Sequence, residues 1–144
     1  MLHRRGIIFA HRDLDVIVGC MERSDPFGVL TGLMPSGRMH LGHSMVIEQL
    51  RWFQEQGADI TVTVADLQAH ATRETILRTG RATAIKEYVP ISAALGLDPS
   101  STNVYFQSGR PEVQRLAFTL GRRTNFSEFE AIDGFKGETN LAHV

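Results

Sequence analysis

The residues best suited to chemistry lie together in Thr31-Gly32-Leu33-Met34-Pro35-Ser36-Gly37-Arg38-Met39-His40-Leu41-Gly42-His43. Glycines at 32, 37 and 42 leave the backbone bare enough for a ligand to approach closely. His40 and His43 are three residues apart, so both rings can share one face of a first helical turn. A helix start offers unpaired N–H groups and a positive dipole end, and imidazole donors there would add to a site for polyphosphate. Two other readings compete. A metal site wants a third ligand, and the sequence offers only Glu48 or the distant His70. Alternatively, the histidines only cap an ordinary surface helix. The position of the loop between a strand and a helix favours nucleotide handling over both.

Those residues need elements to aim them. Phe27-Gly28-Val29-Leu30-Thr31-Gly32 reads as a buried strand, preceded by a short helix over Arg12 to Glu22 with Leu14, Ile17, Val18 and Met21 on one face. From about His40 to Gln56 the pattern is helical, with Val46, Leu50 and Phe53 on one side and Gly57 as its stop. Asp59 to Asp66 is rich in β-branched residues and predicts a second strand. A helix follows from Glu74 to Leu95, kinked near Pro90 and ended by Gly96. Thr102 to Gln107 predicts a third strand. Pro111 then opens a helix whose Val113, Leu116, Ala117 and Leu120 are expected to face the core, with Arg122 and Arg123 in its last turn. Trp52, Phe53, Phe106 and Phe118 read as packing residues. The β-α-β-α-β succession predicts an α/β fold: three parallel strands in the order 3-2-1, half of a doubly wound, Rossmann-like sheet. In a full sheet the first strand would be central, so its free edge predicts a fragment of something longer.

Composition narrows the classes further. The 144 residues are 42% hydrophobic, with 15 cations against 16 carboxylates and a net charge of -1. All the cations except Lys86 and Lys136 are Arg, yet the balance is too even for a generic nucleic-acid tail. No apolar run approaches the roughly 20 residues of a membrane span, and the first residues lack a signal peptide's apolar stretch. Cys20 is the single cysteine, which excludes an internal disulfide framework. A soluble, intracellular α/β domain is the expectation.

HLGH at residues 40–43 resembles the HIGH signature of class I aminoacyl-tRNA synthetases. Nucleotidyltransferases such as pantetheine-phosphate adenylyltransferase share a related motif, but their proline lies two positions before the first histidine, whereas Pro35 lies five before His40. The longer loop resembles the tyrosyl and tryptophanyl branch. Arg5-Gly6-Ile7-Ile8-Phe9 with His11-Arg12-Asp13-Leu14-Asp15 is similar to a segment of archaeal and eukaryotic tryptophanyl-tRNA synthetases. So are Asn125-Phe126-Ser127 and Ile132-Asp133-Gly134-Phe135-Lys136-Gly137-Glu138-Thr139-Asn140, where tyrosyl enzymes carry a different, Arg-rich helix. ADLQAH at 65–70 fits both branches. Two positions depart from the family pattern: Leu30 stands where eukaryotic-type members usually have Tyr, and Gln68 where they have an acidic residue.

The resemblance implies ATP-dependent activation of L-tryptophan and its transfer to tRNA(Trp), by a cytoplasmic homodimer without membrane attachment. It implies ATP as its Mg2+ complex and no protein-bound metal. By the same analogy His40 and His43 are the catalytic pair. Gly32, Pro35, Ser36, Gly37, His40, Gly42 and His43 line the ATP site, Gly42 letting the adenine lie against the backbone. Leu30, Thr63, Asp66 and Gln68 border the amino acid, although Asp66 could equally cap the next turn. Arg38 could meet a phosphate or be solvated. Arg110, Arg115, Arg122 and Arg123 read better as a solvated helix face than as tRNA contacts. Residues 1–25 are expected to be a lead-in, and 26–144 the first half of the catalytic domain, without its second half, KMSKS-type loop or anticodon-binding domain. Such a fragment is expected to be inactive alone. A tyrosyl enzyme, a nucleotidyltransferase and a non-catalytic nucleotide- or RNA-binding fragment are the alternatives.

Overall fold

Alternation of β-branched runs with 3.6-periodic ones yields one parallel sheet in the computed structural model, which describes residues 2–73 and 75–133. Strands β1 (Gly28–Leu33), β2 (Asp59–Val64) and β3 (Thr102–Phe106) pair in that order, so β2 is central. The register aligns Leu33 with Val64 and Val64 with Phe106, which brings all three carboxyl ends to one edge. Helix α1 (Leu14–Arg23) precedes β1, and α2 (Leu41–Glu55) crosses from β1 to β2. Ile47 and Leu50 of α2 pack with Leu33, Ala58, Ile60, Val62, Tyr88 and Leu97 in the core, and Phe53 lies against it. Full burial of aliphatic side chains of this size contributes about 2 kcal/mol each.

Two glycines stop helices as the sequence predicts. After α2, Gly57 has φ +90°, its N–H donates to the Gln54 carbonyl, and the Ala58 N–H donates to Phe53. At Gly96, φ is +95°, and the Gly96 and Leu97 N–H groups donate to Ala93 and Ser92 in the same way. Both are left-handed helix caps that satisfy the last carbonyls and send the chain toward the next strand.

The second crossover departs from expectation. In place of one kinked helix there are α3 (Asp66–Arg73), α4 (Leu77–Thr83), a π-turn (Ala84–Tyr88) and α5 (Val89–Ala94). Helix α3 begins at Asp66, whose carboxylate accepts from the Leu67 N–H at 3.1 Å, so β2 ends two residues earlier than predicted. Ile76 is extended, with ψ 126°, and separates α3 from α4; Glu74, the expected start, lies outside the described residues. The predicted kink near Pro90 takes the form of the π-turn. The Val89 N–H reaches back five residues to Ala84, which loosens the helix where Pro90 lacks a donor and would crowd the carbonyl four residues earlier.

Helix α6 (Pro111–Gly121) also corrects the sequence reading. None of its residues is buried, Val113, Leu116 and Leu120 are exposed, and Phe118 is 83% exposed. The helix packs mainly against the 3-10 turn Gln107–Gly109, and no described element covers its apolar side. Trp52 packs edge-on against Phe53, and Phe106 lies beneath the Arg81 guanidinium at 4.6 Å. Helix α7 (Phe126–Asp133) is the last described element. The family-like segment from Gly134 to Asn140 lies outside the described residues.

Candidate active site

The loop between β1 and α2 opens at the carboxyl edge of the sheet, where ligands of open α/β folds bind. His40 is the N-cap of α2, with extended backbone at φ -137° and ψ 174°. Its Nδ1 accepts from the Gly42 N–H at 3.2 Å, and the His40 N–H donates to Nδ1 of His43 at 3.3 Å. The two histidines therefore cap the helix start reciprocally, with ring centroids 4.0 Å apart. This arrangement fixes their chemistry. A neutral imidazole with an accepting Nδ1 carries its proton on Nε2, so each ring accepts in the cap and keeps its one N–H donor outside it. Burial and the neighbouring His40 hold the His43 pKa below the ordinary histidine value, which favours this neutral form. Capping therefore engages Nδ1 of both rings, so it does not compete with ligand donation, its rival reading in sequence, which would use Nε2.

Gly42 makes the pairing fit: a Cβ there would lie 3.1 Å from both Cε1 and Nδ1 of His40. The loop is anchored from beneath. Pro35 is buried, and its Cγ lies 3.5 Å from where a side chain on the buried Gly80 of α4 would begin. Ser36 and Gly37 face solvent, and nothing lies within 4 Å of a Cβ at Gly32 or Gly37. Arg38 is 92% exposed and sits 3.8 Å from the Glu87 carboxylate, a weak surface pair. Gly32, Pro35, Ser36, Gly37, His40, Gly42 and His43 thus form one continuous edge.

Sequence reasoning passed over Tyr88. It is 2% exposed, its hydroxyl donates to the Gly37 carbonyl at 2.9 Å with the Met34 carbonyl at 3.3 Å, and its ring meets the His43 ring at 5.4 Å. Burial raises its phenol pKa, so the group remains a donor. Pro90, two residues on within a helical pattern, was the signal that the backbone there is special.

The residues expected to border the amino acid are less unified. Leu30 and Thr63 lie with Gly32 on the sheet face opposite the core, Gly32 paired with Thr63 and Leu30 with Thr61. Leu30 is 69% exposed, whereas Thr63 is buried. Asp66 is 1% exposed, and both its carboxylate oxygens are engaged: Oδ1 accepts from the N–H groups of Leu67 and Ser108, and Oδ2 from the Ser108 hydroxyl. It ties the end of β2 to the turn after β3, a capping role that sequence weighed evenly against ligand contact. Gln68 is exposed, and its N–H faces Oε1 of Gln107 at 3.5 Å. His70 bonds to the Thr75 carbonyl through Nδ1 at 2.9 Å. Among the described residues no three His, Cys, Asp or Glu side chains cluster to hold a metal ion, and no helix is long and apolar enough to cross a membrane.

Comparison with known proteins agrees with this geometry. The model of the family described as tRNA synthetases class I (W and Y) matches residues 22–144. A tryptophan–tRNA ligase of Methanocaldococcus jannaschii is 46% identical over 141 residues, covering 98% of this chain and 38% of that protein. One from Methanosarcina acetivorans is 46% identical over 144 residues, covering 100% of this chain and 33% of its own. The crystal structure of the tryptophanyl-tRNA synthetase from Aeropyrum pernix K1 superposes with a TM-score of 0.88 at 40% identity, over 99% of this chain and 38% of that one. The chain therefore spans between 33% and 38% of the length of these relatives. With its HLGH cap, glycine loop and half-Rossmann sheet, the chain belongs to the class I tRNA synthetases of the tryptophan and tyrosine family.

Proposed function

We propose that the protein carrying this chain is a tryptophan–tRNA ligase, activating L-tryptophan with ATP and transferring it to tRNA(Trp). Residues 26–144 are then the first half of its Rossmann-like catalytic domain and residues 1–25 a lead-in. The observation that carries the reading is the reciprocal histidine cap, which leaves an Nε2–H donor on each ring at a helix start. In activation, a carboxylate oxygen of the amino acid bonds to the α-phosphorus of ATP as the bond to pyrophosphate breaks. That carboxylate is already ionised at pH 7, so no general base is needed. The remaining difficulty is charge at phosphorus, which preorganised donors stabilise. His40 and His43 supply such donors, Gly32, Pro35, Ser36 and Gly37 shape the ATP side, and Gly42 admits a flat ring against the backbone. ATP enters as its Mg2+ complex, the ion travelling with the substrate. In this reading Leu30, Thr63, Asp66 and Gln68 border the amino acid, supported by the shared sheet face of Leu30 and Thr63 and by Asp66 and Gln68 following the end of β2. The family resemblance extends the proposal to a cytoplasmic homodimer.

Pyrophosphate exchange into ATP tests the reading. Tryptophan is expected to drive exchange in the protein carrying this chain. Better exchange with tyrosine would move the assignment to the other amino acid of the family. Exchange with neither, together with adenylate transfer to a phosphorylated small molecule, would overturn it in favour of a nucleotidyltransferase.

A further inference from the structure

We propose that Tyr88 is a positioning residue for adenylate formation, its buried hydroxyl tying down the β1–α2 loop while its ring backs His43. The proposal rests on the synthetase reading above. A buried phenol is costly unless it is bonded, and here its partners belong to the loop and not to its own helix. Met34 and Gly37 bracket Pro35 and Ser36, so the single hydroxyl proton, directed chiefly to the Gly37 carbonyl with that of Met34 also in reach, ties the loop's tip to the helix. Besides that tie the tip has the buried Pro35, a Ser36 N–H bonded to the Met34 carbonyl and a weak Arg38–Glu87 pair, while Ser36, Gly37 and Arg38 are themselves exposed. The edge-on ring contact then sets where His43 can sit, and His43 in turn caps His40.

The π-turn is what aims Tyr88. In a regular helix each residue adds about 100° of rotation, so one residue of slack redirects every side chain before Pro90 relative to those after it. The Val89 N–H bonded to Ala84 fixes that slack, and the Ser92 hydroxyl, donating to the Tyr88 carbonyl at 2.7 Å, takes up a carbonyl in this irregular stretch. A residue serving the core alone would require only the ring. The hydroxyl gives Tyr88 a second task, at the loop.

Tyr88→Phe separates the two, because it keeps the ring and removes the tie. In the full-length protein the substitution should slow adenylate formation about tenfold or more while changing the ATP dissociation constant less than about threefold, the pattern of lost positioning. Amide exchange at residues 36–39 should speed up in parallel, and the imidazole 15N shifts of His43 should move from a pure Nε2–H tautomer toward a mixture. Tyr88→Leu removes both contacts and should lose more rate than Phe; if it fails to fold, the Phe variant still decides. A Phe variant with wild-type rate, exchange and shifts would overturn the proposal, as would equal losses in binding and rate. If the unsubstituted protein forms no adenylate with any amino acid, the synthetase reading falls separately. Loop anchoring is then judged by exchange and tautomer alone: changed values uphold it, and unchanged values refute it.

Discussion

The loop edge and the open face of the sheet are built on the same strands but are held by different forces. At the loop edge, Pro35, Tyr88 and the histidine pair are fixed by buried contacts and paired backbone groups. On the opposite sheet face, Leu30 and Asn103 are exposed although Thr63 is buried, and strand pairing sets the register. Asp66 stands between the two, a buried carboxylate that accepts from its neighbour Leu67 and joins the ends of β2 and β3 through two bonds from Ser108. The contrast is between a loop edge preorganised by side-chain and cap contacts and a sheet face with few walls among the described residues; on the proposed reading these are the phosphate and amino-acid sides. Preorganisation raises a chemical rate; an open face tunes affinity.

Substitutions can sharpen or break that contrast. The largest effect is expected from His43→Ala, which should lower the rate of adenylate formation roughly a hundredfold, about 3 kcal/mol, with a much smaller loss of ATP binding. His43→Asn keeps an N–H donor and should retain more activity, and the His40→Ala, His43→Ala double variant should lose less than the sum if both rings act on one charge. Pre-steady-state kinetics beside the ATP dissociation constant read this out, and equal losses in both would remove the catalytic role.

Asp66→Ala should act on stability, costing about 3 kcal/mol in urea unfolding, because it leaves the Leu67 and Ser108 donors without their partner. A folded, stable Asp66→Ala that fails only in tryptophan binding would make the amino-acid contact, and not the tie, its chief role. Gly42→Ala should leave stability nearly unchanged or slightly improved, since alanine favours a helix by about 1 kcal/mol. Its Cβ displaces the His40 ring, so ATP binding should weaken several-fold in a titration. Leu30→Ala should shift the unfolding free energy by no more than about 0.5 kcal/mol at so exposed a position, while changing the KM for tryptophan and leaving that for ATP alone.

The smallest effect is on pH dependence. His43 has its pKa lowered by burial and by His40, so below the ordinary value of 6.5 the unfolded chain binds more protons than the folded one. The cap's contribution is therefore complete above that value and declines as pH falls through it toward the lower folded pKa. Thermal unfolding between pH 7.5 and 5 should show this slope, and His43→Ala should flatten it.

Much of this was legible in the residues themselves. Strand periodicity, β-branched composition and the stops at Gly57 and Gly96 give the parallel β-α-β-α-β order, because these are local preferences that each segment carries alone. The HLGH spacing likewise announces two rings on one turn. Tertiary structure decided the rest. Which nitrogen of each histidine faces the backbone depends on cap geometry, and Tyr88 becomes part of the site because a π-turn rotates it toward a loop about 50 residues earlier. That Asp66 ties the end of β2 to the turn after β3 depends on Ser108, 42 residues away. Helix α6 shows the limit from the other side: its apolar stripe is plain in sequence, but a stripe specifies a need for a partner and not the partner's position. Periodicity is local, while burial and hydrogen-bond partners are properties of elements brought together by the fold.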